Sequence, residues 1–457
     1  MADYTGGSAE ADHLCVLVHG LWGNPNHMAN VAKRLRAEYP KEKLYILVAK
    51  RNAGSFTYDG IEVGGERVCH EILEELALIK SQGGKIRKLS VVGYSLGGLV
   101  ARYAIGLLYA KGVLDELECQ TFTAFASPFL GVRTPLRGWA NHVWNVLGAR
   151  TLSLSGRQLF CIDKFRDTGK PLLAVLADPK SIFMQGLAKF KRRTLYTNIV
   201  NDRSAVYYTT GISKTDPYTD LSKVKINYLK GYEDVILDPK NPVEPLPANH
   251  QKEEESLSSR AHNLAQSLPF FLAMGLFLPI GVVALVITGA VQSFRSAKRI
   301  QLHEKGLAGV GDVTEYRSLP FLLKEIRNQI EDAYEELNST QQQEYLSAAN
   351  SDDDEEGLNG GGSTSLDHED GGEDDQEQEE IVALERKQSQ AAQPTLALTG
   401  HQFAMIAALD SLGWRTYPVW IHKARHSHAA IIVRMDRASF SEGEIVLNHW
   451  VKEEFLI

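Results

Sequence analysis

KLSVVGYSLGGLVARY, residues 88–103, is the stretch whose reading decides the fold. It opens on a β-branched run, passes through Gly93, Ser95 and Gly97, and continues at once into a run of good helix formers. A strand that ends in Gly-x-Ser-x-Gly and turns directly into a helix presents the serine on a tight, strained bend. The small flanking residues keep the bend, the helix and the neighbouring strands from colliding.

Working outward, the same alternation recurs. LCVLVHGLWGNP, residues 14–25, is another strand running into a turn. Short β-branched runs at Leu14–Val18, Leu44–Ala49, Lys88–Val92, Thr121–Ala126 and Thr194–Val200 are separated by amphipathic stretches. In one of them, Glu66–Lys80, the residues Val68, Ile72, Leu73, Leu76 and Ile79 share a helical face. Strands alternating with helices predict a parallel, doubly wound α/β sheet with helices on both faces. Further along, Phe403, Ile406, Leu409 and Leu412 form a helical stripe, Thr416–Ile421 reads as a strand, and Gly443–Phe455 as a closing helix.

Between these parts lie four unlike stretches. Residues 207–260, with PKNPVEPLP at 239–247, read as an irregular excursion rather than sheet. From Ala261 to Phe294 there is no Asp, Glu, Lys or Arg, and Leu268–Val291 is dominated by Leu, Phe, Val, Ala, Ile and Gly. A helical segment, Leu319–Leu346, is followed by residues 350–395, which are too rich in Asp, Glu, Gly, Ser and Gln to build a core. The expected organisation is a first part of the core at 1–235, an insertion at 236–349, a disordered acidic linker at 350–398, and a second part of the core at 399–457.

Charge is weakly informative. Of the acidic residues, 14 lie in 352–380 with no Lys or Arg, so the net charge of −8 conceals a remainder of +6. That balance gives no nucleic-acid bias and is compatible with an anionic membrane surface. Cys15, Cys69, Cys119 and Cys161 stand singly, without zinc or redox spacing, and are expected to be reduced and structural. The first apolar run is too short for a signal peptide, which predicts synthesis into the cytosol. There is no HExxH, no CxxC pair, no phosphate loop and no dinucleotide-binding glycine pattern, so no cofactor or metal is expected.

Ser95 is the candidate nucleophile, and the amide of Leu96 at the helix start can face a developing oxyanion. The other half of that hole is expected from the turn after the first strand, at the Leu21 amide. His19 on that turn is an alternative base, disfavoured because the chain order of this elbow calls for a histidine after the acid. Asp202 follows the Thr194–Val200 strand in TLYTNIVND and is the first choice of acid, with Asp234 in GYEDVIL as fallback. In IHKARHSHAAIIVR, His428 stands on a loop after the Thr416–Ile421 strand and is the preferred base, with His426 second.

The motifs HGLWGNP, GYSLGGLVARY, FASPFLGV (125–132), NIVNDRSAVYYT (198–209) and HAAIIVR, in this order, resemble the fungal "putative serine esterase" and lipase-like family of the α/β-hydrolase superfamily. The resemblance covers roughly residues 12–235 and 400–457 and implies Ser95, Asp202 and His428 as the triad. Members of that family include lipid-droplet phospholipases, so it also implies an acyl-lipid substrate, with glycerophospholipid first. Acylglycerol hydrolysis, acyl transfer and a non-catalytic membrane adaptor are the alternatives. The chain departs from the family at Phe129, where a histidine often follows Ser-Pro. None of the 14 histidines has an Asp five positions on, a spacing found in some lipid acyltransferases.

The triad restricts how Leu268–Val291 can meet a membrane. As a helix its 24 residues reach about 36 Å, enough for a hydrocarbon core of roughly 30 Å. One crossing, however, would put His428 on the side opposite Ser95 and Asp202. Pro279 and Gly281 near the midpoint predict instead a hairpin that enters and leaves one leaflet, with Arg260, Arg295, Lys298 and Arg299 at the headgroups. The expected location is a lipid droplet or the cytosolic face of the endoplasmic reticulum.

Overall fold

The computed structural model describes residues 3–133, 135, 153–202, 205–246, 291, 293–302, 344–346, 372–389 and 394–457. Six strands form one parallel sheet: β1 (His13–Val18), β2 (Leu44–Val48), β3 (Lys88–Tyr94), β4 (Glu118–Phe125), β5 (Arg192–Asn198) and, after the two strands of a small ribbon described below, β8 (Arg415–Val419). Their order is β2-β1-β3-β4-β5-β8, so the chain steps outward from β1 to β2 and then returns across β1 to β3. Open parallel sheets bind ligands beyond the carboxyl ends of the strands at such a reversal. Here it falls between β1 and β3, where Val18 is paired with Gly93.

Every residue of β1 is buried, and successive residues go to different cores. Leu14, Val16 and Val18 face one apolar cluster, Cys15 and Leu17 another. Burial on both faces explains why this strand reads as a continuous apolar run rather than an alternation. The first cluster is completed by α2 (Gly60–Ser81) and α3 (Leu96–Ala110), the second by α1 (Ala29–Glu38) and by the C-terminal residues Val446, Leu447, Trp450 and Val451. The residues 14–18 to 194–200 predicted as strands are thus the core of the sheet, with ends shifted by one to three residues. All four cysteines are free, and burial raises the Cys15 and Cys161 thiols far above their ordinary range.

Three expectations need correction. The excursion after residue 207 contains sheet: β6 (Val224–Ile226) pairs antiparallel with β7 (Val243–Pro245). Runs of three residues are too short to show a period in sequence, and Pro245 is tolerated because it ends a strand of a two-stranded ribbon. Order also returns before His401. Residues 372–388, assigned from composition to the disordered linker, form a helix whose Ile381 and Val382 pack on the first core and whose Glu385 pairs with Lys214 at 2.9 Å. Its Glu, Gln, Ala, Leu, Arg and Lys residues are good helix formers, and Arg386 and Lys387 in the last turn complement the helix dipole, so charge counting concealed a helix. Finally, Arg299 is not at a headgroup: it is turned into the protein against the fully buried carboxylate of Asp59.

Of the apolar segment Leu268–Val291, only Val291 is among the described residues, as is only 344–346 of the helical segment expected at 319–346; that short piece is extended, with Tyr345 bridged to Leu396. Among the described residues no helix is long and apolar enough to cross a membrane.

Candidate active site

Ser95 stands between β3 and α3 at φ 54° and ψ −130°, a conformation that costs an L-residue on the order of 1–3 kcal/mol. Contacts on both sides hold it there. Its N–H donates to the Phe125 carbonyl of β4 at 2.9 Å, and its carbonyl accepts from Gly98 at 3.1 Å. A side chain at Gly97 would collide with the Val18 and His19 carbonyls, so only glycine allows α3 to start this close to the end of β1. Ser95 is half-buried while its neighbours on both sides are buried, which leaves the hydroxyl as what this bend presents.

The turn after β1 closes over the same point. A Cβ on Gly20 would lie 2.7 Å from the Ser95 Cβ and 3.2 Å from Oγ. In this turn the Trp22 amide donates to Thr57 Oγ1 at 3.0 Å and that of Gly23 to the Gly20 carbonyl at 3.0 Å. Leu21, between Gly20 and Trp22, has no hydrogen bond from its N–H to another described residue. Leu96 is the first residue of α3, and the opening N–H groups of a helix have no acceptor within it. Leu96 directly follows Ser95, and Leu21 directly follows the Gly20 that lies against it. His19 is buried, its Nδ1 is 3.1 Å from the Gly20 carbonyl, and burial lowers its pKa to about 4. It sits beneath the turn, and the ring that bonds Ser95 belongs to another histidine.

That ring is His428. Ser95 Oγ lies 2.9 Å from Nε2, and Nδ1 lies 2.8 Å from Asp202 Oδ2. An ionised carboxylate only accepts, so Nδ1 carries the proton and donates it to Asp202, which leaves the Nε2 lone pair for the Ser95 hydroxyl. His428 lies in a helical turn, Ser427–Ala430, rather than on an open loop. The Ser427 hydroxyl ties this turn to the Val200 carbonyl at 2.9 Å. His426 is the residue that caps the turn, and Asp234 is an exposed residue with φ 66°; neither bonds to Ser95.

Asp202, 5% exposed, accepts from the Ala205 amide on Oδ1 at 2.9 Å and from Asn198 Nδ2 on Oδ2 at 2.8 Å, besides His428. Two supporting residues escaped the sequence reading. Asn198 is the last residue of β5 and aims Asp202 at the imidazole. Tyr94, inside the Gly-x-Ser motif, donates its hydroxyl to the His428 carbonyl at 2.9 Å and sets its ring 5.1 Å from the imidazole. Position in the motif marks Tyr94, but its partner lies 334 residues away and leaves no local signal. Phe129, the departure noted in sequence, is buried and stacks 5.0 Å beneath the guanidinium of Arg102, which burial lowers to about 9.

The arrangement can do acyl transfer from an ester: a base-activated serine, an oriented base, and two amides next to the bend whose N–H groups make no hydrogen bond to another described residue. Among the described residues no group of acidic, histidine or cysteine side chains could hold a metal ion.

Comparison with known proteins agrees with this chemistry. Two curated yeast proteins are similar: "Putative lipase ROG1" of Saccharomyces cerevisiae, 30% identical over 50% of this chain and 33% of its own length, and "Putative lipase C4A8.10" of Schizosaccharomyces pombe, 23% identical over 59% and 36%. The chain thus spans about a third of the length of the curated relatives it matches. A solved structure, "a Lipase-esterase related protein from Clostridium acetobutylicum", aligns with 45% of this chain and 82% of its own at 10% identity and a TM-score of 0.26. The fold therefore stands on the strand order and the elbow themselves. Residues 8–215 match the model of the family described as "Putative serine esterase", and it is this family that the chain resembles.

Proposed function

We propose that the protein is a serine-dependent hydrolase of carboxylic esters in lipids. The observation that carries this reading is the unbroken relay from Ser95 through His428 to Asp202, at 2.9 and 2.8 Å. Ser95 Oγ attacks the ester carbonyl as His428 Nε2 takes its proton, and the C–O bond to the leaving alcohol breaks as that proton is returned. Water then attacks the acyl-serine with the same histidine as base, releasing the fatty acid. Asp202 stabilises the imidazolium formed in each half, and the Leu21 and Leu96 amides hold the oxyanion.

The substrate class follows from the uncharged stretch Ala261–Phe294 and from the likeness to proteins named as lipases. Glycerophospholipid is the first choice, cleaved at a lipid droplet or the cytosolic face of the endoplasmic reticulum, with Leu268–Val291 as the membrane partner. Ser95→Ala should abolish turnover and fluorophosphonate labelling together, leaving at most a thousandth of the activity. Labelling that survives this substitution removes Ser95 from its role. Wild-type protein that binds lipid but never labels is an adaptor. A panel of phospholipids, acylglycerols and short soluble esters tests the substrate: preference for the soluble esters defeats the lipid reading.

A further inference from the structure

Beyond the catalytic residues, a second buried polar centre lies at the N-terminus of α2. The Asp59 carboxylate, wholly buried, receives Ser296 Oγ at 2.7 Å, Arg299 Nη2 at 2.7 Å and Nε at 3.0 Å, and Arg67 Nη2 at 2.7 Å. Both guanidiniums lie 5.0 Å from the centre of the Phe56 ring. Ser296 and Arg299 belong to a helix at 293–302, the first described segment after the apolar stretch. A buried carboxylate with two guanidiniums and a hydroxyl fixes that helix to the hydrolase body in one orientation.

Fixing the inner face defines the outer one. At 3.6 residues per turn, Val291, Phe294 and Lys298 fall on the side away from Ser296 and Arg299, and Arg295 and Leu302 on the flank that joins that side to Arg299. All five are exposed, Phe294 at 77% of its surface, and neither Arg295 nor Lys298 has an ion-pair partner among the described residues. Such exposure of three large apolar side chains on one narrow stripe with two cations is what an interfacial helix shows. The charge is one-sided: from Ala261 through Leu302 the sequence contains no acidic residue.

The place of this helix matters. Thr57 and Tyr58, just before Asp59, hold Trp22 through its amide, at 3.0 Å, and its indole N–H, at 2.6 Å. Trp22 belongs to the turn whose Gly20 lies against Ser95. The helix is therefore linked to the mouth of the site by a short series of direct contacts rather than by a free tether.

We infer that the outer face of residues 291–302 is a docking surface for an anionic lipid headgroup layer, with Phe294 entering the acyl boundary and Arg295 and Lys298 pairing with headgroup phosphates. The Asp59 clamp sets the site at a fixed position relative to that layer. The inference deepens the lipid-hydrolase reading but is tested apart from it, by binding measured on full-length protein carrying Ser95→Ala.

Co-sedimentation with phosphatidylcholine vesicles, alone or mixed with phosphatidylglycerol, gives the readout. Arg295→Gln with Lys298→Gln should weaken binding to the mixed vesicles about 30-fold at low salt, with little change on phosphatidylcholine alone. Phe294→Ser should weaken binding to both about tenfold. The same substitutions with Ser95 intact should leave turnover of a soluble short-chain ester unchanged, which certifies the fold. Unaltered binding of the double variant overturns the inference even if the enzyme is an active lipase. Binding that ignores Phe294→Ser and is competed off by inositol hexakisphosphate also overturns it, since the surface would then be a polyanion site. Conversely, the predicted binding pattern in a protein that cleaves no ester would leave the docking surface standing and the hydrolase reading refuted.

Discussion

The two ends of β5 each carry a buried carboxylate, and they are put to opposite uses. At its start, Thr194 donates to Glu454, which also takes the Arg415 guanidinium through two nitrogens at 2.8 and 2.9 Å and the Tyr417 hydroxyl at 2.7 Å. At its end, Asn198 donates to Asp202, whose other partners are a backbone amide and His428. Glu454 is matched by a permanent cation, so its charge is already neutralised and the cluster serves as a fastening between the last strand and the C-terminus. The direct partners of Asp202 carry no permanent charge. Its negative charge stays available for the imidazolium that forms when Ser95 gives up its proton. What separates a catalytic carboxylate from a structural one here is the charge of its partners, since both are buried and both are fully hydrogen-bonded.

This contrast can be broken experimentally, most sharply at Asp202. Asp202→Asn should lower kcat on the order of 10⁴-fold while the protein still folds, because the amide favours the wrong imidazole tautomer. A loss under tenfold would mean that the charge at this end of β5 does nothing special. At the other end, Arg415→Met leaves buried Glu454 with only the more distant Arg192 guanidinium at 3.9 Å, and denaturant unfolding should show a loss of roughly 2–3 kcal/mol, moderated by that second cation and because Arg415 itself is half-exposed. Its kcat should be unchanged; a parallel fall in both would join the two ends into one functional unit.

A third test uses pH. Burial lowers His13 to about 3 and His19 and His449 to about 4, all below their values in the unfolded chain. The unfolded state then binds more protons below about pH 6.5, so stability is complete above that pH and declines as pH falls toward 4. The midpoint of urea unfolding should drop across this window, and His13→Gln should shallow the slope. A midpoint independent of pH there would show these rings to be accessible to protons. The smallest effect is expected in the acidic run. Removal of residues 352–371 should leave kcat and Tm near normal, while a deletion extended through 388 should lower Tm, because the helix at 372–388 packs on the core. Equal effects would mean that the helix contributes nothing.

Much of the site was legible because its chemistry sits at strand ends. Ser95 is marked by a local rule, glycine on both sides of a bend between strand and helix, and Asp202 by its place just after β5. His428 is separated from Ser95 by 333 residues, and only its place directly before the apolar run Ala429–Val433 and the resemblance singled it out from His426. The expectation that 372–388 is solvated failed for a different reason: composition reports average polarity, and two apolar residues at the right spacing are enough to dock a charged helix.

By itself, then, the sequence determined the parallel sheet, the elbow and the types of residue at each strand end, since periodicity and steric demand at a tight turn are properties of neighbours along the chain. Only the tertiary structure decided the partners: that Tyr94 steadies His428, that Asn198 aims Asp202, and that Arg299 turns inward to Asp59 while Arg295 and Lys298 remain outside. Those choices depend on which side chains converge from distant segments into a space without water, where a charge must find its counterpart, and no local pattern encodes that meeting.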